Sequence, residues 1–184
     1  SNVENLLLQA VPIAASGAPG VQRVFYTASS ISAAAAWTEI TDTDITGLSI
    51  RGKMAFMDGF GFVLDGNNVR IYNTAVNSLS DWPATGWLSL SQHTGDPVSL
   101  ARFNNQIIAF TDEGSEAFYN AGNPSGSPLS RILGSERDVG MVRMGNGVNG
   151  SADIHAFAEG RMFFVGMRNA WQRGGTDVFS LGVY

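Results

Sequence analysis

Three stretches of this chain repeat one pattern at a fixed step. Val24-Phe25-Tyr26-Thr27-Ala28 lies over Ile71-Tyr72-Asn73-Thr74-Ala75, and both lie over Phe118-Tyr119-Asn120-Ala121-Gly122, each step being 47 residues. The order apolar, aromatic, polar or aromatic, small, small persists throughout, and Arg23 coincides with Arg70. A second register agrees. Phe56-Met57-Asp58-Gly59-Phe60 precedes Phe103-Asn104-Asn105-Gln106-Ile107 by the same step, and Phe157-Ala158-Glu159-Gly160-Arg161 follows 54 residues later. Self-similarity on this scale marks folds in which one supersecondary unit buries its faces only against its neighbours. The stretch Arg168 to Thr176 displaces the strand Val178-Phe179-Ser180-Leu181. Surface loops absorb such lengthening at small entropic cost.

The second register has the chemistry of a hairpin. Asp58-Gly59, Asn104-Asn105 and Glu159-Gly160 stand between apolar runs. Asp-Gly and Asn-Asn tolerate the positive φ that two-residue hairpin turns require. Before the turns lie Met54-Ala55-Phe56, Leu100-Ala101-Arg102-Phe103 and His155-Ala156-Phe157. After them lie Phe60-Gly61-Phe62-Val63-Leu64, Ile107-Ile108-Ala109-Phe110 and Met162-Phe163-Phe164-Val165. These second runs are almost continuously apolar, which predicts strands covered on both faces. A further turn follows at Asp65-Gly66-Asn67-Asn68 and at Asp112-Glu113-Gly114, and then the aromatic strand.

The expectation is therefore an all-β chain, a β-propeller-like repeat of about 47 residues with three or four strands per unit. The units run approximately 1–49, 50–96, 97–150 and 151–184 within one domain of 184 residues. Four units stand at the lower limit for a closed propeller, so a partial propeller or a fragment is expected. The missing initiator Met and an end at Val183-Tyr184, inside an apparent strand, point the same way. Ile31 to Trp37 holds the helix-forming run Ala33 to Ala36, too short for a stable helix and read as a turn or loop insertion.

Composition narrows the function. Charged residues make up 15% of the chain and the formal charge is −5. That excludes specific nucleic-acid binding through clustered Lys and Arg, although DNA could slide past an acidic wall. With no cysteine there is neither a disulfide framework nor a zinc-thiolate site. The apolar run Leu6 to Ala15 is too short to span a membrane, and no basic segment of a signal peptide precedes it.

No catalytic, cofactor-binding or metal-binding residue emerges. His93 lies in the turn-rich stretch Ser91 to Asp96, and His155 opens an apolar run as a strand-start residue. Neither has a second histidine at metal spacing. Asp42-Thr43-Asp44-Ile45-Thr46-Gly47 opens like a calcium loop, but Lys53 occupies the twelfth position, where a bidentate Glu is needed. A turn capped by its own Asp side chains is expected instead. Asp112, Glu113 and Glu116 form one small acidic cluster, and Glu136 with Asp138 another, both read as surface turn charges. Glu116 could also make a structural hydrogen bond. Trp37-Thr38-Glu39-Ile40 and Ser80-Asp81-Trp82 carry only fragments of a sialidase-type Asp-box, and are read as packing aromatics. Gly145 to Gly150 lacks the Lys-Ser or Lys-Thr of a phosphate loop and reads as a mobile loop between units.

Beyond the repeat, the segments Gly59 to Leu64, Ile71-Tyr72-Asn73 and Ser80-Asp81-Trp82 have a familiar look. So do Gly95-Asp96-Pro97, Asn104 to Ile107 and the string Glu116-Ala117-Phe118-Tyr119-Asn120-Ala121-Gly122. Pro128-Leu129-Ser130-Arg131-Ile132, Gly134 and Gly140 follow, then Met162 to Gly166 and Gly182-Val183-Tyr184. Over residues 55 to 184 the chain resembles the phage packaged-DNA stabilization proteins, which are tail accessory or hub proteins of short-tailed phages. It departs from them at Phe164-Val165-Gly166, where the family often has Trp-Leu-Gly, and before residue 50.

The resemblance implies a non-catalytic virion component, assembled in the host cytoplasm. Such proteins form a homo-oligomeric ring below the portal, contact other tail or portal-adaptor proteins and help retain packaged DNA. The alternative is a carbohydrate- or receptor-binding propeller, in which Trp87 or Trp171 would stack on sugar rings. A propeller hydrolase is a third reading, disfavoured by the lack of a nucleophile motif.

Overall fold

A computed structural model describes residues 9–13, 21–26, 37–92, 95–142, 155–158, 161–167 and 177–181 of the chain. All the regular structure there is β, in four antiparallel sheets that follow one another along the sequence. The first holds β1 (Gln9–Ile13), β2 (Val21–Tyr26) and β3 (Thr38–Glu39). The second is a meander of β4 (Ile50–Met57), β5 (Phe60–Asp65), β6 (Arg70–Asn73) and β7 (Trp87–Ser89). The third repeats that order with β8 (Pro97–Phe103), β9 (Gln106–Thr111), β10 (Ser115–Asn120) and β11 (Leu129–Arg131). In the fourth, β14 (Arg161–Met167) pairs with β12 (Gly140–Met141), β13 (His155–Ala158) and β15 (Asp177–Leu181). The all-β expectation holds, and among the described residues no helix is long and apolar enough to cross a membrane. Residues 31–36, His93, residues 143–150, and residues 168–176 with Trp171 among them lie outside the described residues.

The hairpin turns follow from their residues. Asp58, Gly59, Asn104 and Asn105 all have positive φ, at 54°, 85°, 46° and 56°. Two consecutive left-handed residues make the turn whose twist matches that of the flanking strands. These turns also fix the register. Met57 pairs with Phe60 and Phe103 with Gln106, so Phe103 is the partner in position of Met57, not of Phe56. The 47-residue alignment of the second register is therefore one residue too long at the hairpin. A slip of one residue moves a side chain to the other face of a sheet. Phe56 is accordingly 36% exposed, whereas Phe103 is buried.

Alternation along the strands sends apolar side chains to both faces of the two middle sheets, and three clusters form. Val24, Ile40, Ile45, Ile50, Val63 and Trp82 fill the space between the first and second sheets. Met57, Phe62, Leu64 and Ile71 meet Leu100, Ile107, Phe118 and Leu129 between the second and third. Ala101, Phe103, Ile108 and Phe110 meet Met141, Met162 and Phe164 between the third and fourth, where the Phe110 and Phe164 ring centroids are 4.9 Å apart. The predicted double coverage holds for β5 and β9, each buried from its second residue to its last. It does not hold for β14. There Met162 and Phe164 are buried, but Phe163 and Val165 on the opposite face are only half-buried.

The first strands of the two middle sheets, β4 and β8, approach closely at Gly52. Its φ is 63°, and a Cβ there would overlap the Ser99 backbone. The Lys53 N–H donates to Ser99 Oγ at 3.2 Å, and the Arg102 guanidinium donates to the Phe56 carbonyl at 3.3 Å.

Candidate functional site

The string Glu116 to Gly122 and the run ending in Arg131 form adjacent strands, β10 and β11. The Phe118–Arg131 and Tyr119–Ser130 pairs set their register. This pairing places the Glu116 carboxylate beside the Arg131 guanidinium, with Nε to Oε2 at 2.7 Å. Glu116 is 2% exposed. Its other oxygen accepts the Gln92 N–H at 3.0 Å. Arg131 also donates to the Ser89 carbonyl at 3.2 Å and to Ser91 Oγ at 2.9 Å, and its guanidinium lies 5.6 Å from the Phe118 ring centroid. A charge-assisted pair of this kind is short and strong, and its burial is tolerable because both carboxylate oxygens are satisfied. The clamp ties the end of β7 and the segment after it to the third sheet.

The rest of the string is spent on architecture too. Phe118 is in the core, and the Asn120 side chain donates to Asp58 at 3.0 Å, joining the third sheet to the turn of the second. Asn120 Oδ1 accepts the Gly122 N–H at 2.9 Å, and Gly122 takes a φ of 66°. Asn123 donates to Ser127, Leu129 and Ser130 and closes the loop into β11. Tyr119 alone in the string is an exposed large side chain.

The acidic cluster expected around residue 112 is split by the fold. Glu116 turns into the Arg131 clamp, while Asp112 and Glu113 remain in the β9–β10 turn. Asp112 Oδ1 accepts the Asp96 N–H at 2.7 Å, and the Asp112 N–H donates to the Asp96 carbonyl at 3.0 Å. Burial, and then repulsion from Glu113, push the Asp112 carboxyl above its usual range, while a backbone hydrogen bond pulls it down. Among the described residues, no three His, Cys, Asp or Glu side chains are grouped to hold a metal ion.

The Asp42 segment is a turn. Asp42 Oδ1 accepts the Asp44 N–H at 2.9 Å, and Oδ2 accepts the Trp82 N–H at 2.9 Å. His155 is the first residue of β13 and pairs with Phe164. The tryptophans divide. Trp82 is buried and its indole N–H donates to the Leu79 carbonyl, as a packing aromatic should; Trp37 is exposed instead. Arg70 stacks 3.6 Å from the Trp87 ring centroid and caps one face of that ring. Asp65 was legible only as a turn residue. It is fully buried and accepts the N–H groups of Ser49, Asn67 and Asn68 and the Asn68 side-chain amide.

No protein-family model matches the chain, and no curated protein matches it either.

Proposed function

We propose that this chain is a structural, non-catalytic part of a phage virion: a tail hub or head-completion protein that docks in a ring below the portal and helps retain packaged DNA. The observation that carries the reading is the use made of the string by which the chain resembles the packaged-DNA stabilization proteins. Glu116, Phe118, Asn120 and Gly122 go into a buried ion pair, a core, a bond between sheets and a turn. Residues committed in this way hold a scaffold together and do not turn over a substrate.

On this reading the successive meanders are blades of a propeller-like stack repeating about every 47 residues, and partner proteins of the tail or portal adaptor meet its rim. The Arg70 cap on Trp87 weighs against the sugar-binding alternative at that residue, because stacking on a sugar needs a clear ring face. The test is a packaging assay with phage lacking this protein. Filled heads that lose their DNA, and recover when the protein is added, support the reading. Heads that stay full and infectious without it sink the reading.

A further inference from the structure

The chain has two Asp-Gly pairs, Asp58-Gly59 and Asp65-Gly66. In such a pair the glycine nitrogen offers an unhindered nucleophile to the neighbouring carboxyl, since no Cβ shields it. The fold puts the two pairs in opposite situations. Asp65 is fully buried, and its oxygens accept the N–H groups of Ser49, Asn67 and Asn68 and the Asn68 side-chain amide. The Gly66 N–H is held as well, donating to the Ser49 carbonyl at 2.7 Å. Asp58 is exposed, and one of its oxygens accepts from the Asn120 side chain at 3.0 Å. Among the described residues, neither the Asp58 carbonyl nor the Gly59 N–H makes a hydrogen bond.

The turn geometry points the same way. Closing a five-membered ring from Cγ to the following nitrogen requires that nitrogen to eclipse Cβ. For an L-residue this means a ψ of about −120°, the value at the first central residue of a type II′ turn. Asp58 and Gly59, with φ of 54° and 85°, form the type I′ turn. Rotating their shared peptide by about 180° converts it to type II′, a turn equally compatible with a hairpin. Met57 and Phe60 can stay paired throughout. Asp58 already has the positive φ that type II′ requires, so ring-closing geometry is one peptide flip away and no strand has to part.

We propose that Asp58-Gly59 is a site of spontaneous isoaspartate formation in the folded chain, and that the fold protects Asp65-Gly66 from it. The Gly59 nitrogen attacks Cγ of the protonated Asp58 carboxyl. The N–Cγ bond forms, and the carboxyl OH leaves with the Gly59 proton as water. Water then opens the succinimide. Cleavage of the Cγ–N bond restores aspartate, while cleavage at the α-carbonyl leaves the chain running through Cβ, with the α-carboxylate as the side group. The two-residue turn then carries an extra backbone atom, and the carboxylate leaves the place where Asn120 meets it. The link between the hairpin of the second sheet and the third sheet is lost.

Ageing the purified chain in neutral buffer, with isoaspartyl methyltransferase labelling and peptide mapping, tests the proposal. Isoaspartate is expected at position 58 about tenfold or more faster than at position 65, the rate cost of breaking one hydrogen bond such as that of Gly66. In urea the two pairs should react at similar rates. Isomerisation leaves mass unchanged, which separates it from deamidation of asparagines. The modified fraction, isolated by chromatography, should unfold at lower urea than the unmodified one. No isoaspartate at position 58 in the folded chain, when the urea-unfolded chain forms it, would overturn the proposal. So would equal rates at the two pairs in the folded chain, or a difference that persists in urea. A modified fraction that unfolds at the same urea concentration as the unmodified one would overturn the loss of the link.

Discussion

At Glu116 a buried carboxylate and a guanidinium meet between neighbouring strands, and each leans on the other for satisfaction. Glu116→Gln keeps the shape but leaves Arg131 facing a neutral amide, and should cost about 3 kcal/mol in urea unfolding, the scale of a broken buried pair. Asp65→Asn leaves the N–H groups of Ser49, Asn67 and Asn68 competing for one oxygen, and should cost about 2 kcal/mol. Asp112 acts with the opposite sign. Its carboxyl is raised, so above the ordinary carboxylate pKa the folded chain still holds a proton that the unfolded chain has released. Its contribution to stability therefore falls as pH rises from the ordinary value through the raised one. Asp112→Asn should remove that fall, which thermal melts at a series of pH values would reveal as a melting temperature that declines less towards neutrality. Sequence brought Glu116 and Arg131 into view as separate letters of a motif, but not as a pair, because their meeting depends on the β10–β11 register. Val69 shows the same limit: it takes a φ of 54°, which a β-branched residue seldom does and which no local signal announces.

At the scale of elements, the hairpins were the most legible part, since Asp-Gly and Asn-Asn between apolar runs name their own turn type. The face each side chain takes was less legible. A step of 47 fits the aromatic strands as letters, but the hairpin turns Asp58-Gly59 and Asn104-Asn105 are one residue closer, and only pairing reveals that. The short strands β7 and β11 carry too few residues for alternation to show. Gly52 is a further case. Nothing in Arg51-Gly52-Lys53 announces that β4 bulges there, between Arg51 and Ala55, to let β8 approach. Gly52→Ala would strain a left-handed residue and press a methyl group on the Ser99 backbone, at a cost of about 2–3 kcal/mol in chemical denaturation. Loss of less than about 0.5 kcal/mol would show that the two strands can part there at little cost.

Over the whole molecule, the described sheets stack in chain order and each junction is a closed apolar layer. Removing the Phe110 ring, which lies against Phe164 between the third and fourth sheets, should cost about 3–5 kcal/mol for Phe110→Ala. In hydrogen exchange the amides of β14 should lose protection in that variant, while β5, two sheets away, keeps its own. On the proposed function, this stack docks in a ring as part of the virion. Cryo-electron microscopy of the virion tests it most directly. A ring of this chain below the portal, with neighbouring copies in contact, is expected. A virion without the chain, or with single copies of it making no contact with one another, would overturn the proposed function.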